Sequence, residues 1–196
     1  MQSRTGFRGM TDEALMAAIQ EQDKAAFAEL YDRYADRLLR FLQRMLGNDH
    51  EKAQDFLQEV FMRVIRSADN FKTGKTVRPW IYAISMNLCK NEYRRLTVRQ
   101  NTEDGVDIDS VPQKANDTES QIDMALFQRA LEAEIHKLPA YLRSTFLLRF
   151  QCGMTIREIS EIMACSQGTV KSRLFYMTQN LAEILKSYNP YNVGEN

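Results

Sequence analysis

Residues 153–174 read GMTIREISEIMACSQGTVKSRL, and this stretch decides the fold of the C-terminal part of the chain. Thr155 and Glu158 have the spacing of a capping box, and the short apolar run that follows supports a helix of about two turns. The dipeptide Ala164-Cys165 marks a tight turn, and Ser166 is a suitable cap for a second, longer helix. Two capped helices joined by so short a turn are typical of a helix-turn-helix unit.

The second helix of this unit has two unlike faces when it is projected at about 100° per residue. An apolar stripe faces inward, and the opposite face presents small and polar residues that allow close approach to a DNA groove. Cations on this face can meet phosphates, while serine and phenylalanine side chains can meet base edges and thymine methyl groups. A helical hairpin that only packs against a neighbour is the alternative that the pattern leaves open.

The rest of the sequence shows helical periodicity. Apolar residues recur at spacings of three and four over residues 27–45, 53–65 and 80–88, and further helices are expected on both sides of Pro139. A shorter helix capped by Thr11 is expected to precede them. No long alternating pattern of apolar and polar residues, as expected of a strand, occurs in the sequence. The sequence therefore predicts an all-α protein.

The character of the sequence changes over residues 100–120. This stretch holds six acidic residues, one lysine and few apolar residues, so we expect a flexible acidic linker that buries no core. The predicted organisation is two small helical domains on a tether. The first covers residues 10–99, and the second, with the helix-turn-helix, covers residues 121–188. The tether is expected to leave the two domains without a fixed spacing.

Charge is distributed unevenly, although the whole chain is neutral, with 26 Lys and Arg against 26 Asp and Glu. Residues 60–99 hold nine cations and two anions, and aromatic residues are interleaved with them. Cations beside aromatic faces suit a melting or single nucleic-acid strand, because phosphates need charge and exposed bases need stacking partners. Two structural roles that need no ligand also fit this segment. Trp80 can pack in the core, and the cations can interact favourably with the helix dipole.

Several classes of function lack support in the sequence. The three cysteines form no C-x-x-C pair and are expected to be reduced structural thiols. His50 and His136 are isolated, so we expect no metal site, no cofactor and no catalytic cluster. No apolar run approaches the roughly 20 residues that span a membrane, and the first ten residues lack the apolar segment of a secretory signal. We expect a cytoplasmic protein that is not an enzyme, takes no small-molecule substrate and does not insert into the membrane.

Four segments of the sequence carry recognisable motifs. The first reads QDFLQEVF over residues 54–61, and the second reads RPWIYAISMNL over residues 78–88, followed by YRR over residues 93–95. The third reads GMTIREISEIM over residues 153–163, and the fourth reads GTVKSRL over residues 168–174. In this order they resemble the extracytoplasmic-function (group four) RNA polymerase sigma factors of bacteria. A single motif of this kind is weak evidence, whereas four in register are strong, and the resemblance extends over nearly all of the chain from about Lys24 to Lys186.

The resemblance implies a protein that binds core RNA polymerase and directs it to promoter DNA for transcription initiation. It also implies a stress- or envelope-responsive role under an anti-sigma factor, which can hold the chain at the inner membrane. The residues that match the polymerase-binding positions are Asp55, Gln58 and Glu59. Those that match the positions for the minus-ten promoter element are Asn70, Phe71, Lys72, Lys75, Arg78, Lys90, Arg94 and Arg95. Those that match the positions for the minus-thirty-five element are Thr169, Lys171, Ser172, Arg173, Phe175 and Tyr176.

Proteins of other classes also fit parts of the pattern. A stand-alone helix-turn-helix regulator with an N-terminal effector domain would share the C-terminal motif, but it would be expected to dimerise on paired half-sites. A purely structural helical adaptor would not need the excess of cations over residues 60–99. Specific DNA binding in the absence of polymerase would favour the stand-alone regulator.

Overall fold

The computed structural model of the chain describes residues 6–72, 74–100 and 119–188. Within these ranges all regular structure is helical and no strand occurs, which confirms the predicted all-α class. The acidic linker predicted over residues 100–120 lies almost wholly outside the described residues. The α-helices are α1 Asp12–Gln20, α2 Lys24–Met45, α3 His50–Arg66, α4 Val77–Gln100, α5 Glu119–Lys137, α6 Ala140–Phe146, α7 Ile156–Met163 and α8 Gln167–Ile184.

Helices α1 to α4 form an N-terminal unit, in which short polar caps fix where each helix begins. Thr11 caps α1, and Asp23 accepts hydrogen bonds from two amides in the first turn of α2. The chain leaves α2 through Gly47 and Asn48, both at positive φ, and Asp49 caps α3. Helix α2 packs against α1 and α3, and α4 closes the bundle. The apolar stripes predicted from the sequence thus face one another.

Helices α5 to α8 form a C-terminal unit that contains the predicted helix-turn-helix. The capping box between Thr155 and Glu158 is present at the start of α7. Helix α7 ends at Ala164, which adopts a left-handed conformation with φ of 50°. Ser166 then caps α8 by accepting a hydrogen bond from the amide of Thr169 at 3.0 Å. The capping residues predicted from the sequence therefore determine where α7 and α8 begin.

The two units pack against each other and share one continuous apolar cluster. Helix α4 of the N-terminal unit lies against α7, and Arg78 at the start of α4 donates a hydrogen bond to the carbonyl of Cys152. At another point of this contact, the Arg44 guanidinium lies 3.0 Å from the Glu132 carboxylate. The two units are therefore in direct contact in this structure. None of the helices in the described ranges is both long enough and apolar enough to cross a membrane.

Candidate polymerase and nucleic-acid interfaces

The three residues predicted to bind polymerase lie together on the outer side of α3. The opposite side of this helix is buried in the core, and it includes Leu57, Val60 and Val64. Asp55 and Gln58 are exposed, and Glu59 is partly exposed one helical turn from Asp55. Arg63 donates a hydrogen bond to Glu59 at 2.7 Å, and this bond lowers the pKa of the carboxyl group. The surface is therefore anionic near neutral pH, with one cation at its end.

An apolar side chain that sequence analysis missed lies within this surface. Met62 is 45% exposed, and it follows Gln58 and Glu59 by four and three residues, so it lies beside both on the helix. The signal was available, because Met62 falls outside the apolar stripe of α3. We call Asp55, Gln58, Glu59 and Met62 the acidic face of α3. Ile65 was expected to lie in the core and is instead exposed nearby.

The loop that precedes α4 presents three of the residues predicted for the minus-ten element. Asn70, Lys72 and Lys75 are exposed, and we call residues 70–72 and 74–76 the capture loop. Phe71 differs from the prediction of a DNA contact, because its side chain is buried and packs edge-on against Trp80 with ring centroids 5.1 Å apart. Its aromatic ring is buried in forming the core, so it anchors the loop and presents no face to a base.

Helix α4 places its predicted DNA-binding cations on different sides. Arg94 is exposed and Lys90 partly exposed, whereas Arg95 is held by two hydrogen bonds of 2.8 Å to the buried carboxylate of Glu92. Arg78 precedes Arg94 by 16 residues, which is about 160° around the helix. It donates to the Cys152 carbonyl and lies 3.8 Å from Glu158. In this arrangement Arg78 contacts the C-terminal unit rather than the open surface, so it is not grouped with the other cations.

Two asparagines extend the exposed side of α4. Asn87 and Asn91 are exposed and precede Arg94 by seven and three residues, so the three side chains follow one side of the helix. We call them the α4 ladder. Sequence analysis assigned no role to the asparagines, although their spacing on a predicted helix, outside its apolar stripe, was a usable signal. Carboxamides can both donate to and accept from base edges, which suits an unpaired strand.

The predicted recognition helix α8 presents most of its assigned residues to the surface. Lys171 and Ser172 are exposed, Phe175 is 55% exposed and Tyr176 is 70% exposed. We call these four residues the outer face of α8. The two aromatic rings contact each other edge-on with centroids 5.4 Å apart. The inner side of the helix is held by the buried residues Val170, Met177 and Leu181.

The other two residues predicted on α8 are partly buried. Thr169 lies beside the cap, where its hydroxyl is 2.9 Å from that of Ser166. The Arg173 guanidinium lies over the ring of Tyr141, 5.0 Å from its centroid, at the edge of a groove between α6 and α8. Both residues shape the start of the helix, and their side chains are less available to a ligand than those of the outer face.

Three separate surfaces therefore result: an anionic face with an exposed methionine, a polar and cationic side of one helix with its loop, and a recognition helix with two exposed aromatic rings. The first suits a cationic protein partner, because complementary potentials favour association. The second suits a strand whose bases are unpaired. The third suits a DNA groove, where a phosphate contact by lysine positions the helix and contacts by serine and phenylalanine read the bases.

Comparison with known protein families matches both units. The family described as Sigma-70 region 2 matches residues 30–99, and the family described as Sigma-70, region 4 matches residues 128–175. Among solved structures, CnrH in complex with the cytosolic domain of CnrY shares the fold, with a TM-score of 0.67, 19% identity, and coverage of 90% of this chain and 97% of that one. The sigma factor RpoE in complex with the anti-sigma factor NepR from Bartonella quintana has a TM-score of 0.67 at 24% identity, with coverage of 82% and 96%.

Characterised relatives match over most of their length. The ECF RNA polymerase sigma-E factor of Haemophilus influenzae is 30% identical over 173 residues, which cover 85% of this chain and 90% of that protein. The RNA polymerase sigma-H factor of Pseudomonas aeruginosa is 30% identical over 183 residues, with coverage of 89% and 94%. Sigma factors catalyse no reaction themselves and act in transcription initiation with core RNA polymerase at promoter DNA. Because both domain types occur in order and the relatives align almost end to end, the chain belongs to the extracytoplasmic-function sigma factors.

Proposed function

We propose that this sigma factor binds core RNA polymerase through the acidic face of α3. The observation that carries the proposal is the segregation of charge, because the carboxylates of Asp55 and Glu59 lie beside an exposed methionine on a unit whose loop and α4 are cationic. Exposed apolar side chains beside polar groups are common at protein interfaces, where the centre is desolvated and the rim stays wet. The cation-rich surfaces are left for DNA, which would repel the carboxylates.

The test replaces Asp55 and Glu59 with Ala in the full chain. The affinity for core polymerase should fall by at least about tenfold, because the two carboxylates supply the complementary charge of the interface. The matched control replaces Asp32 and Asp36, two exposed carboxylates with the same spacing on α2, and should leave the affinity unchanged. Helical circular dichroism should be the same for both variants. Wild-type core affinity in the Asp55 and Glu59 variant would contradict the proposal.

The promoter contacts are proposed to divide between the two units. The capture loop and the α4 ladder contact the minus-ten element after its strands separate, and the outer face of α8 contacts the minus-thirty-five element as a duplex. The carboxamides of Asn87 and Asn91, the cation of Arg94 and the exposed loop lysines support the first assignment. The exposed lysine, serine and aromatic residues of α8, on a helix-turn-helix, support the second.

A duplex promoter and a pre-melted template separate these roles. Substitution of Lys72 and Lys75 with Ala should impair transcription from the duplex more than from the pre-melted template, because the loop acts on bases as they leave the stack. Substitution of Lys171 with Ala should impair both to the same degree, because its contact lies in DNA that stays paired. Equal losses on the two templates for the loop variant would contradict the melting role.

Control by an anti-sigma factor is also part of the proposal, since the similar RpoE chain from Bartonella quintana was solved with NepR. The chain is proposed to be cytoplasmic and to be held at the inner membrane when such a partner is itself membrane-bound. The test is recovery of the tagged chain from its native cells with a partner that competes with core polymerase. Cell fractionation with and without that partner then shows whether the chain moves between the membrane and soluble fractions. If no recovered partner competes with core polymerase, the proposed regulation by an anti-sigma factor is contradicted.

A further inference from the structure

Helix α1 lies N-terminal to the residues that the Sigma-70 region 2 family matches, yet it contacts both ends of the capture loop. At the entrance, the Gln20 carboxamide donates to the carbonyl of Ala68 at 2.9 Å and to that of Phe71 at 3.2 Å. At the exit, the Glu13 carboxylate accepts from the amide of Val77 at 3.1 Å, where α4 begins. A single short helix therefore joins the two ends of the loop.

The geometry of α1 allows this contact because its two polar side chains share one side. Glu13 and Gln20 are seven residues apart, which is about 20° short of two full turns, and about 10 Å along the axis. The helix itself is firmly held, with Leu15 and Met16 fully buried. Its first turn is also tied to α2, where Arg33 donates to the Asp12 carboxylate at 2.8 Å.

The contacts engage backbone groups at both ends of the loop, where the Ala68 carbonyl also accepts from the amide of Phe71. The amide of Val77 is among the first four of α4, which have no partner within the helix, and a carboxylate there also complements the helix dipole. The carbonyls of Ala68 and Phe71 flank the start of the loop, and one carboxamide holds both. Apart from Phe71, the described residues of the loop between these points are exposed, so the separation of its ends determines how their side chains are presented.

We propose that Glu13 and Gln20 are positioning residues of the capture loop, which fix its two ends so that Asn70, Lys72 and Lys75 meet the separated strand with a preset spacing. This inference rests on the proposed function of the loop. Preorganisation of this kind contributes affinity by removing the ordering cost at the moment of binding. The two residues act on the loop and on the strand that it binds. They do not affect the acidic face of α3 or its binding to core polymerase.

The experiment compares four variants of the full chain: Glu13→Ala, Glu13→Gln, Gln20→Ala and, as an exposed control at the end of α1, Glu21→Ala. The probe is the single-stranded oligonucleotide that wild-type holoenzyme enriches from a random pool. Glu13→Ala and Gln20→Ala should each weaken its binding by about five- to tenfold, with unchanged core affinity. Glu13→Gln keeps an acceptor oxygen and should stay within about twofold of wild type, as should Glu21→Ala.

Hydrogen exchange over residues 68–77 provides a readout that does not depend on DNA. Exchange there should accelerate by about tenfold in Glu13→Ala and Gln20→Ala and remain slow in Glu13→Gln. Wild-type exchange in both alanine variants, or wild-type strand affinity despite faster exchange, would overturn the inference. The Lys72 and Lys75 variant tests the underlying function separately. If the Lys72 and Lys75 variant binds the single strand as tightly as wild type does, the capture loop is not the site of strand binding. The positioning proposal then fails as well, even if hydrogen exchange is faster in the alanine variants of Glu13 and Gln20.

Discussion

The guanidinium of Arg78, at the start of α4, lies 3.8 Å from the carboxylate of Glu158, at the start of α7. Arg78 also donates to the carbonyl of Cys152, and Glu158 also closes the capping box with Thr155. The contact joins the helix proposed to meet the minus-ten element to the first helix of the helix-turn-helix. An arginine that the sequence assigns to DNA is thus engaged by protein groups in the free chain.

We expect the free chain to behave in solution as one body rather than as two independently moving units, because the apolar cluster is continuous between them. A compact chain of this length has a radius of gyration of about 16 Å. Small-angle X-ray scattering on the free chain measures this value. A radius well above this compact value would contradict the expectation.

The Glu158→Gln variant separates apolar packing from the ion pair as the cause of this compactness. Glutamine keeps an acceptor for Thr155 but removes the charge opposite Arg78. The pair is partly exposed and long, so it contributes about 1 kcal/mol or less, and the variant should remain as compact as wild type. An increase in the radius of gyration on this single change would mean that the ion pair holds the two units together.

We expect the free chain to bind promoter DNA weakly and to gain specificity only with core polymerase. The chain is neutral overall, so its carboxylates offset its exposed cations, and the engagement of Arg78 by the C-terminal unit further reduces the sequence-independent attraction to phosphate. Gel shifts on promoter duplexes, with and without core polymerase, measure the difference. Nanomolar, sequence-specific binding by the free chain would instead identify a stand-alone regulator.

Lys171 and Phe175 should affect promoter recognition in different ways within the holoenzyme. Lys171→Ala should weaken binding about equally across promoter sequences and reduce the slope of affinity against salt by about one, because a single phosphate contact is lost. Phe175→Ala should change which bases are preferred, because an apolar contact to a base is lost. A randomised-promoter selection and a salt titration measure both effects, and a change of base preference in the lysine variant would reverse the assignment.

Glu92 should make the stability of the N-terminal unit depend on pH. Hydrogen bonds from Arg95, and an ion pair with Lys52 at 2.6 Å, lower the pKa of its buried carboxyl from 4.5 to about 2. The resulting stability is present above the unfolded pKa and is lost as the pH falls through 4.5 towards 2. Glu92→Gln should therefore lower the free energy of unfolding by about 2 kcal/mol at pH 7 and by little near pH 2.

Denaturant unfolding of Glu92→Gln at several pH values measures this dependence. The exposed substitution Glu183→Gln on α8 serves as the control and should show no such pH-dependent difference. If the free energy of unfolding of Glu92→Gln is lower than that of wild type by the same amount at all pH values, packing rather than the charge of the carboxylate accounts for the lost stability.

Ala164 should be a site where glycine stabilises the helix-turn-helix. It ends α7 with φ of 50°, a conformation that costs an L-residue about 1–2 kcal/mol and glycine almost nothing. Ala164→Gly should raise the free energy of unfolding by up to about 1 kcal/mol, since the greater backbone entropy of glycine offsets part of the gain. The same substitution at Ala133, exposed within α5, should lower it by a similar amount. Thermal unfolding compares the two, and a decrease at both positions would contradict the prediction.

The sequence by itself determined the helices and where they begin and end. Caps such as Thr155 and Ser166 act within one turn of the chain, so the local sequence is sufficient to predict them. The acidic face of α3 and the outer face of α8 were predictable for the same reason, since the residues of one helix face are related by a fixed spacing. Met62, Asn87 and Asn91 were missed, although the same spacing identifies them.

Only the tertiary structure decided what lies between elements that are distant along the chain. Burial of Phe71 against Trp80, the engagement of Arg78 by Glu158 and the contacts of Glu13 and Gln20 with the capture loop all join separate helices or turns. The spacing of residues along one helix contains no information about which neighbour that helix meets. The arrangement of the two units is decided in the same way, because an apolar surface can be buried against any complementary partner, and only the folded chain shows which one it has.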